Sequence, residues 1–438
     1  MKIAELAKEK IAVVGLGSEN FALLNFLYSK GYTFPITIFA FQSRQEMEKH
    51  YPALKKWKHI TWVISKPNFN QLKNYSLVLK SPGAFFSPQL REQLQKSEVR
   101  ITSAMQLFLD LCPTKNTIGV TGTKGKGTTS SLIYTILKKA GKRVWLGGNI
   151  GVAPFSFISN IKKSDWLILE LSSFQLEDTT SSTHISVLTN FSAEHLAPAD
   201  KNNPNYHPSL NHYWQSKLNL LRFQEKNDIT IINNSLKTKI KSIKIKSKKI
   251  FFTTSSLASK LPGDHNKENI AAAVAVAKAI KISNNTISKA VSNFKGLPYR
   301  LEKIAEKNGV TYYNDSFATT PSATITALKA FNNPIILIAG GADKGSNFNK
   351  LARIIKQKTK AVILFKGTAL KKLQTSLKKA KYNPSNIQIA GSMTEALSQA
   401  QKPALPGDIV LMSPACASFG LFKNYKDRGE QFNKIVKI

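Results

Sequence analysis

The sequence predicts an α/β protein built from three domains with mostly parallel sheets. Short apolar runs that end in glycine, proline or polar turns alternate with segments of helical periodicity along the chain. The length of 438 residues suits about three domains. The predicted domains are a Rossmann-like N-terminal domain (1–110), a central parallel-sheet domain of the P-loop ATPase type (111–295) and a Rossmann-like C-terminal domain (296–438).

Composition narrows the class of protein. Hydrophobic content is 42%, which is ordinary for a globular protein, and no apolar run approaches ~18 residues, so no membrane insertion is predicted. The N-terminus has no signal-peptide pattern, and Cys112 and Cys416 are isolated, so neither disulfides nor a zinc site is expected. These features predict a cytoplasmic protein.

The net charge of +37 raises the question of nucleic-acid binding. The basic residues are spread along the whole chain and are mostly lysine, whereas planar recognition of bases and phosphates favours arginine. No nucleic-acid reader motif accompanies the charge, so no specific nucleic-acid partner is predicted. The lysine-dense segment 237–249 is interpreted as a solvated surface hairpin.

The first predicted strand runs into a glycine turn at Ile11–Gly17. This pattern is typical of a dinucleotide fold, but the third glycine is missing and the next strand, Ile36–Phe41, has no acidic residue at its end. Two interpretations stay open: a dinucleotide-binding domain, or a cofactor-free Rossmann-like domain that holds a nucleotide in another way.

The most informative stretch is Thr117–Thr129, where a β-prone run enters a loop containing Gly122 and Gly125 and a helix then begins with Lys126. Glycines let successive N–H groups face an anion, and the helix N-terminus adds positive potential. The strict P-loop pattern is not met, because Val120 replaces its first glycine and Gly127 follows the lysine. A metal-binding hydroxyl would therefore come from Thr128 or Thr129.

Two later predicted strands are followed by side chains that could bind a metal ion. Trp166–Leu169 leads to Glu170, a carboxylate that could hold Mg²⁺ beside the phosphate loop. The strand Ile185–Asn190 leads into a loop carrying Glu194 and His195, and a histidine at a strand end is a candidate ligand.

With these segments in view, the chain resembles the Mur ligases over its whole length, and among them those that add D-glutamate to UDP-N-acetylmuramoyl-L-alanine. The segments that carry the resemblance are Thr121–Lys126, Gly148–Gly151, Glu170–Glu177, Leu261–Asn266, Asn314–Ser316, Ser413–Ser418 and Phe422–Gly429. The Glu170 and Ser413 segments point to the D-glutamate branch, whereas the phosphate loop points only to the wider superfamily.

The resemblance implies an ATP- and Mg²⁺-dependent amide-bond-forming ligase of the cytoplasmic stage of peptidoglycan synthesis. ATP would phosphorylate the carboxylate of UDP-N-acetylmuramoyl-L-alanine, and the amine of glutamate would attack the acyl phosphate. The chain is expected to act as a monomer. Two alternatives are a folylpolyglutamate synthase-like ligase and a non-catalytic basic nucleic-acid-binding protein on a ligase fold.

The resemblance also implies roles for individual residues. Lys126, His195, Lys217 and Lys344 are the implied catalytic residues, and Lys217 matches a lysine that the family carbamylates. The implied metal ligands are Thr128, Glu170, His195 and Lys217. The implied ATP-binding residues are Gly122, Thr123, Lys124, Gly125, Lys126, Gly127, Thr128, Thr129, Asn266, Asn269, Arg300 and Asp315. The implied substrate-binding residues are Gly15, Leu16, Gly17, Ser18, Ser81, Asn149, Ser172, Ser173, Gln175, Thr319, Lys344, Ser418, Phe419 and Tyr425.

Three positions depart from the family pattern. Phe317 stands where better-known members have lysine, so a cationic contact is lost, and Ala40 replaces an acid on the uracil side. Gly127 replaces the metal-binding hydroxyl, as in the related folylpolyglutamate synthases, where the following hydroxyl serves. Thr128 is therefore the predicted metal ligand.

Overall fold

The computed structural model describes residues 3–32, 34–196 and 205–438. These residues form two compact units. The first unit contains residues 3–32, 34–196, 205–257 and 268–291, and the second contains residues 258–267 and 292–438. The first unit holds two sheets and the second holds one. Each sheet falls inside one of the three predicted domain ranges, and the domain boundaries stay a prediction.

The N-terminal sheet has five parallel strands in the order β3-β2-β1-β4-β5. The strands are β1 (Ile11–Val14), β2 (Ile36–Ala40), β3 (Ile60–Ile64), β4 (Leu77–Lys80) and β5 (Arg100–Thr102). The helices are α1 (Ile3–Leu6), α2 (Ser18–Ser29), α3 (Arg44–His50), α4 (Phe69–Leu72), α5 (Pro88–Lys96) and α6 (Ala104–Leu111). Because β1 and β4 are neighbours, the Gly15–Ser18 turn and Ser81 reach the same sheet edge.

The central sheet has six parallel strands in the order β11-β10-β9-β6-β8-β7. They are β6 (Thr117–Thr121), β7 (Val144–Gly148), β8 (Trp166–Glu170), β9 (Ile185–Leu188), β10 (Ile229–Asn233) and β11 (Lys248–Phe252). The helices that follow β6 are α7 (Lys126–Lys139), α8 (Ser173–Leu176), α9 (Leu210–Arg222), α10 (Lys237–Ile240), α11 (Asp264–Ala279) and α12 (Asn284–Asn293). The adjacent strands β9, β6 and β8 end at one edge of the sheet, where parallel α/β folds bind ligands.

The C-terminal sheet has the order β12-β13-β17-β14-β15-β16, with β12 antiparallel and the other strands parallel. Its strands are β12 (Glu302–Lys307), β13 (Val310–Asn314), β14 (Ile335–Gly340), β15 (Thr359–Phe365), β16 (Ile387–Ala390) and β17 (Ile409–Met412). Its helices are α13 (Pro321–Lys329), α14 (Asn349–Lys358), α15 (Leu370–Lys379), α16 (Met393–Gln401) and α17 (Tyr425–Lys437). The neighbours β13, β17 and β14 deliver three loops to one edge.

Burial explains why these strands form. The strands β6 and β14 are buried at every position, and apolar side chains pack on both faces of the C-terminal sheet. Strands of a parallel sheet covered on both faces read as continuous apolar runs, which is the pattern in the sequence. Within the described ranges, no helix is long and apolar enough to cross a membrane.

The surface hairpin predicted for residues 237–249 is wrong. The segment forms the short helix α10, and β11 then pairs parallel with β10, whereas a hairpin needs antiparallel strands. Ile240 and Ile245, which stand among the lysines, are buried in the core of the first unit. These apolar anchors, and not the charges, decide the path of the chain.

Candidate active site

The loop between β6 and α7 depends on two glycines. Gly122 has φ +146° and Gly125 has φ +80°, and a Cβ would collide with the Thr189 hydroxyl at the first and with the Asn269 carboxamide at the second. The loop is tied to the end of β9, since Thr123 N–H donates to Asn190 O (3.0 Å). The backbone is therefore fixed in the curled form that suits a phosphate.

Two lysines converge on this loop. Lys126 Nζ donates to the carbonyl oxygen of Gly122 (3.1 Å), and Lys217 Nζ donates to the same oxygen (2.9 Å). Lys217 is 1% exposed and its Nζ lies 4.5 Å from the Tyr213 ring centroid. Burial, followed by the Lys126 charge, holds the pKa of Lys217 well below its usual range, which favours the neutral amine.

Glu170 ends β8 and pairs in register with Val120, at the base of the loop. It is buried, and its Oε1 accepts a hydrogen bond from Asn149 Nδ2 (2.7 Å). Its Oε2 is also buried and has no hydrogen-bond partner among the described residues. A buried carboxylate oxygen without a donor is costly, so this atom fits a cation that the structure does not contain.

His195 follows β9 with φ +57° and lies between the rings of Phe174 (5.4 Å) and Tyr213 (6.0 Å). Its pKa is lowered first by burial and further by the charges of Lys217 and Lys126, against the opposing pull of Glu194. A neutral imidazole is the form that binds metals.

The two hydroxyl groups that follow Lys126, those of Thr128 and Thr129, differ in solvent exposure. Thr129 is fully buried, and its Oγ1 donates to Asn269 Oδ1 (3.4 Å), which brings a predicted nucleotide-binding amide against the loop. Thr128 is partly exposed and Gly127 is buried. Thr128 is therefore the more accessible of the two candidate metal-binding hydroxyls, and its role stays a prediction. Asn266 lies one turn earlier on α11 and donates to Pro262 O (2.7 Å).

The predicted UDP-side residues meet in the N-terminal part of the first unit. A Cβ on Gly15 would lie 3.1 Å from Ser81 Cβ, and one on Gly17 would lie 3.3 Å from Ser81 Oγ. Ser81 thus packs directly against the Gly15–Ser18 turn, which includes Leu16. Asn20, which had no predicted role, braces this turn by donating to Gly15 O (2.9 Å).

Ser172 and Gln175 also have a structural role within the protein. They form a capping box at the start of α8, with Ser172 N–H donating to Gln175 Oε1 (2.7 Å) and Gln175 N–H donating to Ser172 Oγ (3.2 Å). The Gln175 amide also donates to the carboxyl of Glu19, whose pKa burial raises to about 7. No motif or periodicity singled out Glu19 in advance.

A second missed residue is His207, which is fully buried between aromatic rings. Its Nε2 shares a hydrogen bond with Ser173 Oγ (2.8 Å), and its Nδ1 shares one with His212 Nδ1 (3.0 Å). Burial lowers the pKa of His207 to about 3, so the ring is neutral. His207 therefore fixes the hydroxyl of a predicted substrate-binding serine.

His207, His212 and Glu177 have ligand atoms within 4.8 Å of one another, as a metal site would require. The carboxylate of Glu177 is already paired with Lys80 (2.7 Å) and Arg91 (2.9 Å). A metal ion there would face two cations, so this cluster is better explained as an ion-paired network.

In the second unit, Asp315 is buried and its carboxylate is fully engaged. Oδ1 accepts from Leu301 N–H (3.2 Å) and Oδ2 accepts from Ser413 Oγ (2.7 Å). Burial raises the pKa of Asp315 to about 7. The predicted nucleotide contact therefore also holds together two loops of its own unit.

The predicted glutamate-side residues come from loops that are joined to one another. Ala342 and Ala417 exchange backbone hydrogen bonds (2.9 and 3.2 Å), which links the loop of Lys344 to the loop of Ser418 and Phe419. Ala415 N–H donates to Ala318 O (2.9 Å), beside Thr319. Tyr425 begins α17. The loops are thus brought together, and the side-chain roles stay predictions.

Arg428 was part of the family-like segment but had no predicted role. It is fully buried and donates to Ser316 O (2.9 Å), Ser316 Oγ (3.0 Å) and Cys416 O (3.3 Å). Burial lowers its pKa to about 10. Its guanidinium therefore clamps the loop after β13 to the loop after β17.

Comparison with known proteins identifies the family of this chain. The Mur ligase middle domain matches residues 120–259, and the Mur ligase glutamate ligase domain matches residues 299–416. Two solved structures share the fold. The MurF ligase from Thermotoga maritima in complex with ADP has a TM-score of 0.59, 16% identity and coverage of 100% of this chain and 99% of its own. UDP-N-acetylmuramate-alanine ligase from the same organism has a TM-score of 0.57, 17% identity and coverage of 98% and 99%.

Three curated relatives are similar over nearly the whole chain. UDP-N-acetylmuramoylalanine–D-glutamate ligase from Clostridium tetani is 34% identical and covers 98% of this chain and 96% of its own. Two further relatives have the same name. The ligase from Clostridium kluyveri is 35% identical and covers 98% of this chain and 96% of its own, and the ligase from Acetivibrio thermocellus is 34% identical and covers 99% and 97%. The chain belongs to the Mur ligase family, and its curated relatives are the D-glutamate ligases of that family.

Proposed function

We propose that this protein is the ATP-dependent ligase that joins D-glutamate to UDP-N-acetylmuramoyl-L-alanine through an acyl phosphate, in the cytoplasmic stage of peptidoglycan synthesis. The observation that carries the proposal is the arrangement around Gly122. Two lysine Nζ atoms meet on its carbonyl oxygen, and the adjacent strand ends in a buried carboxylate oxygen that has no donor among the described residues. The names of the curated relatives supply the two substrates.

The loop would bind the triphosphate of ATP. Its amides and the N-terminus of α7, which has 14 residues, provide donors and positive potential for the phosphate oxygens. Lys126 would leave the Gly122 carbonyl and bind the outer phosphates. Asn269 already contacts the loop and is therefore well placed for the nucleotide.

The residues present fit Mg²⁺. Glu170 Oε2 offers an unpartnered oxygen, Thr128 offers an accessible hydroxyl and His195 offers a neutral imidazole. When bound, Mg²⁺ would neutralise charge on the transferring phosphoryl group. Asn149 holds Glu170 Oε1, so the free oxygen keeps a fixed direction.

Lys217 fits the carbamylation that the family resemblance implies. Only a neutral amine can attack carbon dioxide, and burial beside Lys126 favours that form. The amine nitrogen would form a bond to the carbon of carbon dioxide as one C=O π bond opens, one proton would leave the nitrogen, and the neutral amine would become a carbamate anion. That carbamate would attract the metal and the Lys126 ammonium.

The remaining residues would position the two substrates. The Gly15–Ser18 turn with Ser81 would hold the diphosphate of the UDP-sugar, and Asn149 and Ser173 would face its alanine end. Lys344, with the loops of Thr319, Ser418 and Tyr425, would bind glutamate, and Lys344 would face its side-chain carboxylate. Holding the amine and the acyl phosphate in reach is then the main source of rate enhancement. We propose that the enzyme acts as a monomer.

The test is a substrate panel that measures ADP and phosphate release by the purified protein. UDP-N-acetylmuramoyl-L-alanine is crossed with D-glutamate and L-glutamate, each with and without Mg²⁺. Release that requires the UDP-sugar, D-glutamate and Mg²⁺ together is expected. Release with a folate and L-glutamate instead, or tight salt-sensitive RNA binding without turnover, would overturn the proposal.

A further inference from the structure

We propose that Phe317 is a positioning residue that holds the guanidinium of Arg300 flat for the nucleotide and connects it to Tyr425. The inference rests on the proposed function, because Arg300 is taken as a nucleotide contact and Tyr425 as part of the glutamate pocket. It adds an aromatic residue that neither assignment contains, and all three residues lie in the second unit.

The ring and the cation are stacked closely. The guanidinium carbon of Arg300 lies 3.7 Å from the centroid of the Phe317 ring. Cations within about 6 Å of an aromatic face are attracted to it, and a planar guanidinium can stack on the ring through its own face. Phe317 is 39% exposed, so the ring is not explained by core packing.

The backbone around Arg300 is strained and held in place. Its neighbours Tyr299 (φ +62°) and Leu301 (φ +45°) are both in the left-handed region, which residues other than glycine rarely adopt. Phe317 N–H donates to Tyr299 O (3.0 Å), and Leu301 N–H donates to Asp315 Oδ1 (3.2 Å). The segment that carries Phe317 therefore enforces the strained backbone that presents Arg300.

The Phe317 ring also contacts Tyr425. The two centroids are 5.0 Å apart with planes at 83°, which is an edge-to-face contact, and Tyr299 also meets Tyr425 edge-on at 6.3 Å. One aromatic ring thus touches both a residue expected to bind ATP and a residue expected at glutamate. Loss of the ring should weaken nucleotide binding first and glutamate binding second.

The experiment uses the full chain and compares Phe317→Leu with Phe317→Tyr, which keeps the ring. The Kd for ADP is measured by titration, and KM is measured for ATP, glutamate and the UDP-sugar. Phe317→Leu should raise the Kd for ADP and the KM for ATP by about 3- to 10-fold. The KM for glutamate should rise by about 2-fold, the KM for the UDP-sugar should not change, and Phe317→Tyr should behave as wild type.

Two controls separate positioning from general damage. Phe251→Leu removes a similarly exposed ring (37%) that faces Lys237 at 5.7 Å in the first unit, and it should change nothing. In an Arg300→Ala background, Phe317→Leu should add no further loss of ADP affinity. An unchanged ADP Kd in Phe317→Leu, or a full additional loss in the Arg300→Ala background, would overturn the inference.

Failure of the proposed function gives a different result. The ADP titration needs no second substrate, so the role of Phe317 can be measured even if the wild-type protein does not join glutamate to the UDP-sugar. Absence of wild-type turnover with normal ADP binding would refute the proposed reaction alone. Wild-type turnover with a Phe317→Leu variant that binds ADP normally would refute the role of Phe317 alone.

Discussion

The site of the first unit and the site of the second unit handle charge in opposite ways. Around Gly122, two lysines crowd one carbonyl oxygen, and Glu170 keeps a buried oxygen without a donor among the described residues. In the second unit, both carboxylate oxygens of Asp315 accept hydrogen bonds, and Arg428 donates to three acceptors.

We interpret the arrangement around Gly122 as a site where the reaction occurs, and the arrangement around Asp315 as a scaffold that fixes loops. Buried polar groups that lack partners are costly, so the first arrangement makes sense when ligands complete it. The second arrangement is complete within the protein and fixes the loops that carry other side chains. The comparison predicts that substitutions around Gly122 change catalysis more than folding, and that substitutions of Asp315 or Arg428 do the reverse.

The largest expected effect is that of Lys126→Ala. Removing the ammonium that would bind the outer phosphates should lower ADP release by roughly 10³-fold or more, because charge stabilisation is the main contribution to phosphoryl transfer. Lys138→Ala, on an exposed position of the same helix, is the matched control and should retain activity. Near-normal turnover by Lys126→Ala would mean that the loop does not bind ATP.

Glu170→Gln tests the difference between the two sites directly, because it should lower activity and raise the stability of the folded protein. The amide keeps the shape and can still accept from Asn149, but it replaces the buried carboxylate oxygen that has no donor among the described residues. Turnover should fall about 10²- to 10³-fold, while urea unfolding should show a gain of about 1–3 kcal/mol in the absence of ligand. A loss of stability of that size would show that Glu170 is already satisfied in the unliganded protein.

Lys217→Ala is expected to have a smaller effect that can be reversed in part. Turnover should fall roughly 10- to 100-fold through loss of the carbamate oxygens, and added acetate or formate should restore some of it. Sodium chloride at the same ionic strength is the control and should restore none. Full activity without any added carboxylate would exclude the carbamate role.

The smallest effect on turnover is expected for Asp315→Asn, which tests the scaffold through pH. The pKa of Asp315 is about 7 in the folded protein, against 3.8 for an exposed aspartate, so folding favours the protonated form. The contribution of Asp315 to the free energy of unfolding should be fully present below about pH 4 and should be lost as the pH rises through 7. The difference in unfolding free energy between wild type and variant should change by roughly 2–4 kcal/mol over that range. Equal pH slopes would contradict this account.

Much of the first site could be predicted from sequence because its rules are local. The positive φ values of Gly122 and Gly125 demand glycine. Apolar strands that end at Glu170 and just before Asn190 place polar groups at the ligand-binding edge of a parallel sheet. A one-dimensional pattern is enough to reveal such features. The α/β class followed from the same alternation of strands and helices.

The residues that were missed depend on partners far away in the chain. Lys80 pairs with Glu177 across 97 positions, and Gln175 reaches Glu19 across 156. Arg428 looks like one cation among 63 lysines and arginines, and only its burial distinguishes it. The hairpin prediction failed for a related reason, because two buried isoleucines were hidden in a lysine-rich segment. No periodicity marks such contacts.

The shared carbonyl of Gly122 has a practical consequence at the bench. The Lys126 ammonium rests on this neutral oxygen beside Lys217 and will readily exchange it for a small oxyanion, so sulfate or phosphate carried through purification should compete with the triphosphate. Apparent nucleotide affinities would then depend on the buffer history of each preparation. Constants measured after exhaustive dialysis into chloride would be the ones to compare between variants.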